Sequence, residues 1–441
     1  MTEVATAVDA FSPAPAAAKP GRKIALGLLI VIGSINFMDR QILSVLIEPI
    51  KAELHLSDTE IGLLTGLSFA LFYAALGVPV AMAADRFPRV RLVALACFIW
   101  SLFTGASGFV SNFWQLALAR FGVGVGEAGG TAPSLSILAD YYPPEQRPLV
   151  TGLFTANGPL GVFLGASLGG LAAEHFGWRG AFFSISLMGM VVAPLLAIFV
   201  REPVRGQMER GSVTGESLAP TPLLKTATLF LKRPTLALLL AASGLSAFVS
   251  YGMLNWIPAF LMREEHMPLS AIAIWFGPAA GLCMGVGMIG GGAIVNSLGR
   301  WSERAYALVP GVAMLVNGLS FPIALFAHSW PASLALMLVP MITCTIYVPP
   351  ALALVQNLAP VGARSTSIAL LLLAFNIVGL GGGPLCIGML SDALKRAHLA
   401  GGLGLALLAV APLSILAALI YYGVSRTIVA DAKLSRVEHG S

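Results

Sequence analysis

Four charged residues sit where charge is expensive. Asp39 and Arg40 lie inside the first long apolar segment, and Arg120 and Glu127 lie inside the fourth. A charge at membrane depth costs at least about 2.5 kcal/mol, so such residues are usually paired and usually mark an ion or substrate path. Carboxylates in that setting can bind and release protons, and guanidiniums can hold anions. Asp39 and Glu127 are therefore read as proton-coupling groups, and Arg40 and Arg120 as their charge partners and as anchors for substrate. The four formal charges sum to zero. Protonating one carboxylate leaves an excess positive charge, which attracts an anionic headgroup or moves an arginine to a new partner.

Depth follows from the helical rise of about 1.5 Å per residue. The first segment runs outward and ends near Ile47, which puts Asp39 roughly 12 Å from the outer face. The fourth runs inward from about Phe113, which puts Arg120 roughly 10 Å from it. An Asp39–Arg120 ion pair is expected, with Glu127 seven residues on, on the same helix face and nearer the midplane.

The elements that must hold these charges are membrane helices. Of 441 residues, 57% are hydrophobic and only 11% are charged, against roughly 25% charged in a soluble domain. The mean hydropathy is +0.85. Apolar runs of about 20 residues recur along the chain. Twelve spans are expected, beginning near residues 24, 60, 90, 113, 147, 178, 234, 269, 304, 330, 364 and 402. With the N-terminus inside, 19 Lys and Arg fall on the cytoplasmic side and 5 on the outer side, which places both termini in the cytoplasm. The expected organisation is a cytoplasmic tail over 1–22, a six-helix bundle over 23–200, a polar cytoplasmic linker over 201–233, a second six-helix bundle over 234–426, and a tail over 427–441. The fold class is thus an all-α integral membrane protein.

The two halves look related. Asp85-Arg86 corresponds to Asn296, and Pro144 and Arg147 correspond to Pro360 and Arg364, at offsets of 211 to 217 residues. Parallel repeats with a site between them suit alternating access. An offset of 216 carries Asp39 to Asn255, Arg40 to Trp256 and Glu127 to Thr343. No span of the second half carries a mid-membrane charge, so the space between the halves should have one ionic wall and one apolar, aromatic wall. Candidates to line it are Asn36, Phe69, Tyr73, Asn157, Tyr251, Asn255, Trp256, Thr343, Tyr347 and Asn376. Such a lining suits an amphiphile better than a sugar or a dicarboxylate.

Several function classes fit poorly. The basic residues are scattered over loops, which argues against nucleic acid. Cys97, Cys283, Cys344 and Cys386 all lie within apolar runs without a CxxC pair, and are expected to be small buried packing residues rather than metal ligands or disulfides. Residues 1–20 lack the basic and apolar regions of a signal peptide. No metal cluster or nucleophile–base pair stands in the spans, so an enzyme is not expected, and no Walker-type glycine loop supports an ATP-driven pump.

The loop after the second span reads Ala81-Met-Ala-Ala-Asp85-Arg86-Phe-Pro-Arg89-Val-Arg91 and resembles the Gly-x-x-x-Asp-Arg-x-Gly-Arg-Arg pattern of the major facilitator superfamily, with Ala81 and Pro88 in place of its glycines. Asn157-Gly158-Pro159-Leu-Gly161 is similar to that superfamily's Gly-Pro motif in span five. Asn36-Phe-Met-Asp39-Arg40, the stretch from Arg120 to Glu127, and Tyr141-Tyr-Pro-Pro-Glu-Gln-Arg147 resemble the Spinster-like group within it. That resemblance implies a proton-linked transporter of lipids such as sphingosine phosphate and lysophospholipids. The Asp-Arg and Arg…Glu charges also occur in organic-anion:proton symporters, which keeps sugar acids open as substrates. Asp85, Arg86 and Arg89 are expected to form a cytoplasmic latch between the halves. A multi-pass monomer in a bacterial inner membrane is expected, with protons as the coupling ion and no other cofactor.

Overall fold

The computed structural model describes residues 21–68, 70–71, 86–205, 208, 226, 228, 230, 232–360, 363–399 and 401–440. All regular structure among them is helical. Nine helical runs among the described residues are long and apolar enough to cross a membrane. The difference from the twelve spans read in the sequence has local causes. The run Arg147–Phe199 holds the expected fifth and sixth spans in one stretch of 53 residues. The fourth is split into Phe113–Glu127 and Thr131–Tyr141. The second runs into 72–85, outside the described residues, as does most of the expected linker 201–233.

The first helix, Arg22–Val45, has 24 residues. At about 1.5 Å each it spans some 36 Å, enough for a hydrocarbon core of about 30 Å. Leu46 leaves the helical region, and the short helix Ile47–Leu54 follows, ended by His55 in the left-handed conformation at φ 54°. Ser57 and Glu60 then form a capping box that starts the helix Asp58–Gly62. Gly177 breaks the 43-residue helix Asn157–Phe199 at φ 71° and ψ 171°, a backbone conformation glycine adopts without a Cβ penalty. The break at Glu127 is bridged by tight turns, with the amides of Gly129 and Gly130 donating to the carbonyls of Gly126 and Glu127 at 3.0 Å. Glu127 therefore sits at the end of a broken helix.

Two groups of helices pack around separate axes. In the first half, Arg22–Val45 and Arg89–Ala106 both lie on Asn157–Phe199; in the second, Pro234–Arg263 and Ala305–Leu325 both lie on Val410–Gly440. The halves meet where Asp58–Leu67 crosses Phe375–Arg396, where Asn157–Phe199 crosses Ile272–Leu298, and where Arg22–Val45 meets Pro234–Arg263. Small residues let these backbones approach. A Cβ on Gly62 would stand 2.6 Å from the Pro384 carbonyl oxygen, and one on Gly388 would stand 2.2 Å from that of Asp58. Large apolar side chains such as Trp114, Leu282, Ile289 and Leu419 are exposed on the outside of the bundle. Patches of that extent need a lipid or protein cover.

Candidate functional site

The intramembrane charges come together, but in a different pairing from the one the depth estimate suggests. Arg40 donates through Nε and Nη2 to Glu127 Oε2, both at 2.8 Å. Arg120 donates through Nη2 to the main-chain carbonyl of Asp39 at 3.3 Å and not to its carboxylate. The expected Asp39–Arg120 carboxylate pair is corrected to that extent. The cause is helical geometry: neighbours on a helix with 3.6 residues per turn point about 100° apart, so Asp39 and Arg40 cannot face the same way. Arg40 turns to the space between the halves, stacked over Phe37 at 5.5 Å. Asp39 turns inward and shares its surroundings with Glu127, Arg120 and Thr104.

Asp39 and Glu127 are fully buried and Arg120 nearly so. Five polar atoms of this group have no hydrogen-bond partner: both side-chain oxygens of Asp39, Nε and Nη1 of Arg120, and Oε1 of Glu127. An unsatisfied polar group in a low-dielectric interior is costly, so the cluster holds a poised arrangement rather than a saturated one.

A cavity of about 270 Å³ lies between the halves. Phe37, Arg40, Gln41 and Ser44 line it from the first helix at spacings that put them on one face, with Thr65 and Val162 beside them. Arg40 is its only charged lining residue among the described ones. The opposite wall, all from the second half, carries Met253, Met284, Met288 and Met341 with Tyr251, Tyr347, Phe276 and Phe375. Tyr347 and Phe375 stack edge to face at 5.4 Å. The serine and threonine hydroxyls of this wall are turned into the backbone. Ser250 bonds the carbonyls of Ser246 and Cys344, and Thr345 those of Ile342 and Met284. The wall therefore behaves as an apolar one despite its serine and threonine. Three π-helical turns, Leu63–Leu67, Ile272–Phe276 and Phe375–Gly382, each contribute to the lining through Thr65, Phe276, and Phe375 with Leu380. A π turn widens the helix locally and re-aims its side chains, and such turns are frequent at functional sites.

Of the residues proposed from sequence to line this space, Tyr251, Asn255 and Tyr347 do so. Trp256 is fully buried and donates through its indole to the Pro384 carbonyl at 2.9 Å, a packing role between two helices. Asn157 packs on Gly33. Asn36 lies beside Glu127. Thr343 and Asn376 bond carbonyls of their own helices, Val339 and Leu372. Phe69, Tyr73 and Asp85 lie outside the described residues. Gln41 was missed although its polarity in an apolar run next to Arg40 could have found it; the methionines and the π turns were missed because no polarity or charge in the sequence marks them.

A second ionic group closes one end of the bundle, the outer end in the orientation expected from the charge count. Asp58, fully buried, is paired with Lys51 of its own half and with Arg263 and Lys395 of the other. Ser391 donates to it at 2.7 Å. Arg263 also binds Glu48 at 2.6 Å. Asp392 accepts from the amides of Asp58 at 3.1 Å and Thr59 at 2.7 Å, which ties the start of the Asp58–Gly62 helix to the second half. Burial alone would raise the Asp58 carboxyl, but the hydrogen bonds and charge of Arg263, with Lys395 and Lys51, hold it well below the usual carboxylate range.

At the other end, Arg89 binds Asp140 and Glu202, the latter at 3.0 Å, and the Pro203 carbonyl at 3.1 Å. Asp140 belongs to the first half, and Glu202 and Pro203 to the start of the expected linker. Of the expected latch between the halves, Arg89 binds the first half and the linker's start rather than the second half, Arg86 is exposed, and Asp85 lies outside the described residues. Cys97, Cys283 and Cys344 are buried, but Cys386 is exposed, against expectation.

Residues 29–383 match the family model described as Major Facilitator Superfamily. An MFS-type efflux pump of Mycolicibacterium smegmatis is 32% identical over 417 residues, covering 93% of this chain and 95% of that protein. The sphingosine-1-phosphate transporter SPNS2 of Danio rerio is 27% identical, covering 85% of this chain and 77% of its own. A hexuronate transporter of Bacillus subtilis is 28% identical over 56% of this chain and 58% of its own. Among solved structures, a bacterial homolog of the human lysosomal transporter Spinster, inward-facing and unoccupied, superposes with a TM-score of 0.86 at 29% identity, covering 94% of this chain and 98% of that one.

Proposed function

Because the chain belongs to the major facilitator superfamily, a family of membrane transporters rather than enzymes, and is related both to Spinster proteins and to sugar-acid transporters, we propose that it is a proton-coupled transporter of lipid-like amphiphiles that works by alternating access. The observation that carries this reading is the contrast across the cavity: Arg40, paired to Glu127, faces a wall of methionines and aromatic rings. Methionine is flexible and polarisable, and suits an alkyl chain of variable shape. A headgroup with negative charge would compete with Glu127 for Arg40. When the headgroup takes Arg40, Glu127 loses its cation and takes up a proton more readily. Proton binding and anion binding thus favour each other through one guanidinium, and by linkage the coupling is reciprocal.

In this reading the chain crosses a bacterial inner membrane twelve times as a monomer, with both termini in the cytoplasm. The turn at Gly177 separates spans five and six, and the broken helix at Glu127 forms span four. The proton is the coupling ion, and Asp39 is a second site for it. The ionic group around Asp58 closes the outer end, so that the cavity opens to the inside.

Relatedness to a hexuronate transporter supports a second reading, a symporter of small organic anions. Thermal stabilisation of the purified protein separates the two. Lysophospholipids with anionic headgroups should raise the melting temperature and hexuronates should not, with the larger shift at the lower of two pH values. Stabilisation by hexuronates alone would overturn the amphiphile reading.

A further inference from the structure

Asn255 is an amide set in the apolar wall. It lines the cavity, its residue is 8% exposed, and its Nδ2 has no hydrogen-bond partner. The serine and threonine hydroxyls around it are satisfied by carbonyls, and among the described residues of that wall it alone has a buried side-chain donor without a hydrogen-bond partner. A leucine, with the same branching and number of side-chain heavy atoms, would fill that place without a polar donor to satisfy. A buried donor left open in a ligand cavity calls for an acceptor that arrives with the ligand.

The register of the two helices places Asn255 relative to Arg40. Glu48 and Arg263 are bonded at 2.6 Å, so they stand at one level. Both chains run toward that level in parallel. Asn255 lies eight residues back from Arg263, about 12 Å deeper along its helix, and Arg40 lies eight residues back from Glu48 across the break at Leu46. The helices Arg22–Val45 and Pro234–Arg263 pack on each other, and both residues line the same cavity. The cationic donor of one half and the neutral donor of the other therefore face one cavity from opposite walls.

We infer that Asn255 is the second donor of the headgroup subsite, and that the headgroup is a phosphate-type oxyanion bridging Arg40 and Asn255. This rests on the amphiphile reading above. A carboxylate presents its two oxygens in one plane and is satisfied by a single guanidinium fork. A tetrahedral phosphate has oxygens directed apart, and can accept from Arg40 on one side and from an amide approaching from the other. The substrate would then tie the two halves together at the headgroup, while its chain lies along Met284 and Met288, which follow one another at helical spacing on the same wall.

The test measures binding of a lysophosphatidate and of a single-chain fatty acid of equal chain length to the purified full chain and to Asn255→Leu. Asn255→Leu should weaken lysophosphatidate about tenfold or more and the fatty acid less than about threefold. The ligand-free variant should melt no lower than the parent, since an unpaired buried amide has been removed. Asn255→Gln, which keeps the donor on a longer arm, should recover part of the loss. Equal losses for both ligands, or no loss for either, would overturn the inference while leaving the amphiphile reading in place. A lower melting temperature for ligand-free Asn255→Leu would show a structural role and overturn it likewise. Failure of the parent protein to bind either lipid would overturn the amphiphile reading and this inference with it.

Discussion

The ionic group around Asp58 and the one around Glu127 are built from similar residues and do opposite things. At Asp58 both carboxylate oxygens are bonded, and the bonds run between the halves, to Arg263, Lys395 and Ser391. At Glu127 the pairing stays within the first half, and five polar atoms of the group remain without partners. A saturated network across an interface holds one conformation. An unsaturated one behind a cavity wall is ready to exchange partners with a proton or a ligand. On the proposed reading, the Asp58 group does the holding and the Glu127 group the coupling.

The largest effect on this contrast should come from Glu127→Gln. It keeps the shape but removes the titrating group, and the response of transport to an imposed pH gradient in proteoliposomes should fall on the order of tenfold to hundredfold, the usual range of a coupling free energy. A full response in the variant would remove Glu127 from the coupling role. Next comes Asp58→Asn. Loss of one partner of a buried ionic group costs about 3–5 kcal/mol, and somewhat less here because Lys51 and Lys395 are partly exposed. Spin-label distances between the outer ends of the two halves should shift toward the open state by about tenfold in population or more.

The same group gives a pH test. Asp58 has a depressed carboxyl, so its stabilisation of the closed end is fully present above the ordinary carboxylate value of about 3.9 and is lost only as pH falls below that. With Asp39→Asn and Glu127→Gln in place, so that the cavity site no longer titrates, spin-label distances at the Asp58 end should not change between pH 7 and pH 5 in the absence of substrate. A transition in that window would mean that the latch, and not the cavity site, senses protons. The smallest effect should come from Arg179→Ala. Arg179 pairs with Glu53 inside the first half, both well exposed, and solvent screens such a pair so that it adds little. The variant should leave the outer distances unaltered; a change would show that ties within one half also set the latch.

Much of this contrast was legible in the residues, and the limits have physical causes. Asp39, Arg40, Arg120 and Glu127 stood out because charge is costly in an apolar run, and the uncharged second half pointed to a lopsided cavity. Their pairing was not legible, because depth alone does not say which of two adjacent helical side chains faces inward. The Asp58 group was invisible for another reason. Lys51, Arg263 and Lys395 look like ordinary loop charges, and their carboxylate lies up to 337 residues away in sequence. The repeat offset found Asn255 but also Trp256, and only the helix register told the lining residue from the buried one. Arg89 carried a motif of known shape, yet the direction of its partners depends on where the chain returns at Asp140 and Glu202. The π turns, which re-aim Thr65, Phe276 and Phe375 into the cavity, have no compositional mark at all.

The coupling of headgroup to proton through Arg40 can be read in one titration. Lysophosphatidylglycerol, whose phosphodiester stays a monoanion near neutral pH, is added to the purified protein in weakly buffered solution, and the protons exchanged per ligand bound are counted for the parent and for Glu127→Gln. Net proton uptake on binding in the parent, abolished or strongly reduced in Glu127→Gln, is the expected result. Equal proton exchange in both, or none in the parent despite binding, would contradict it.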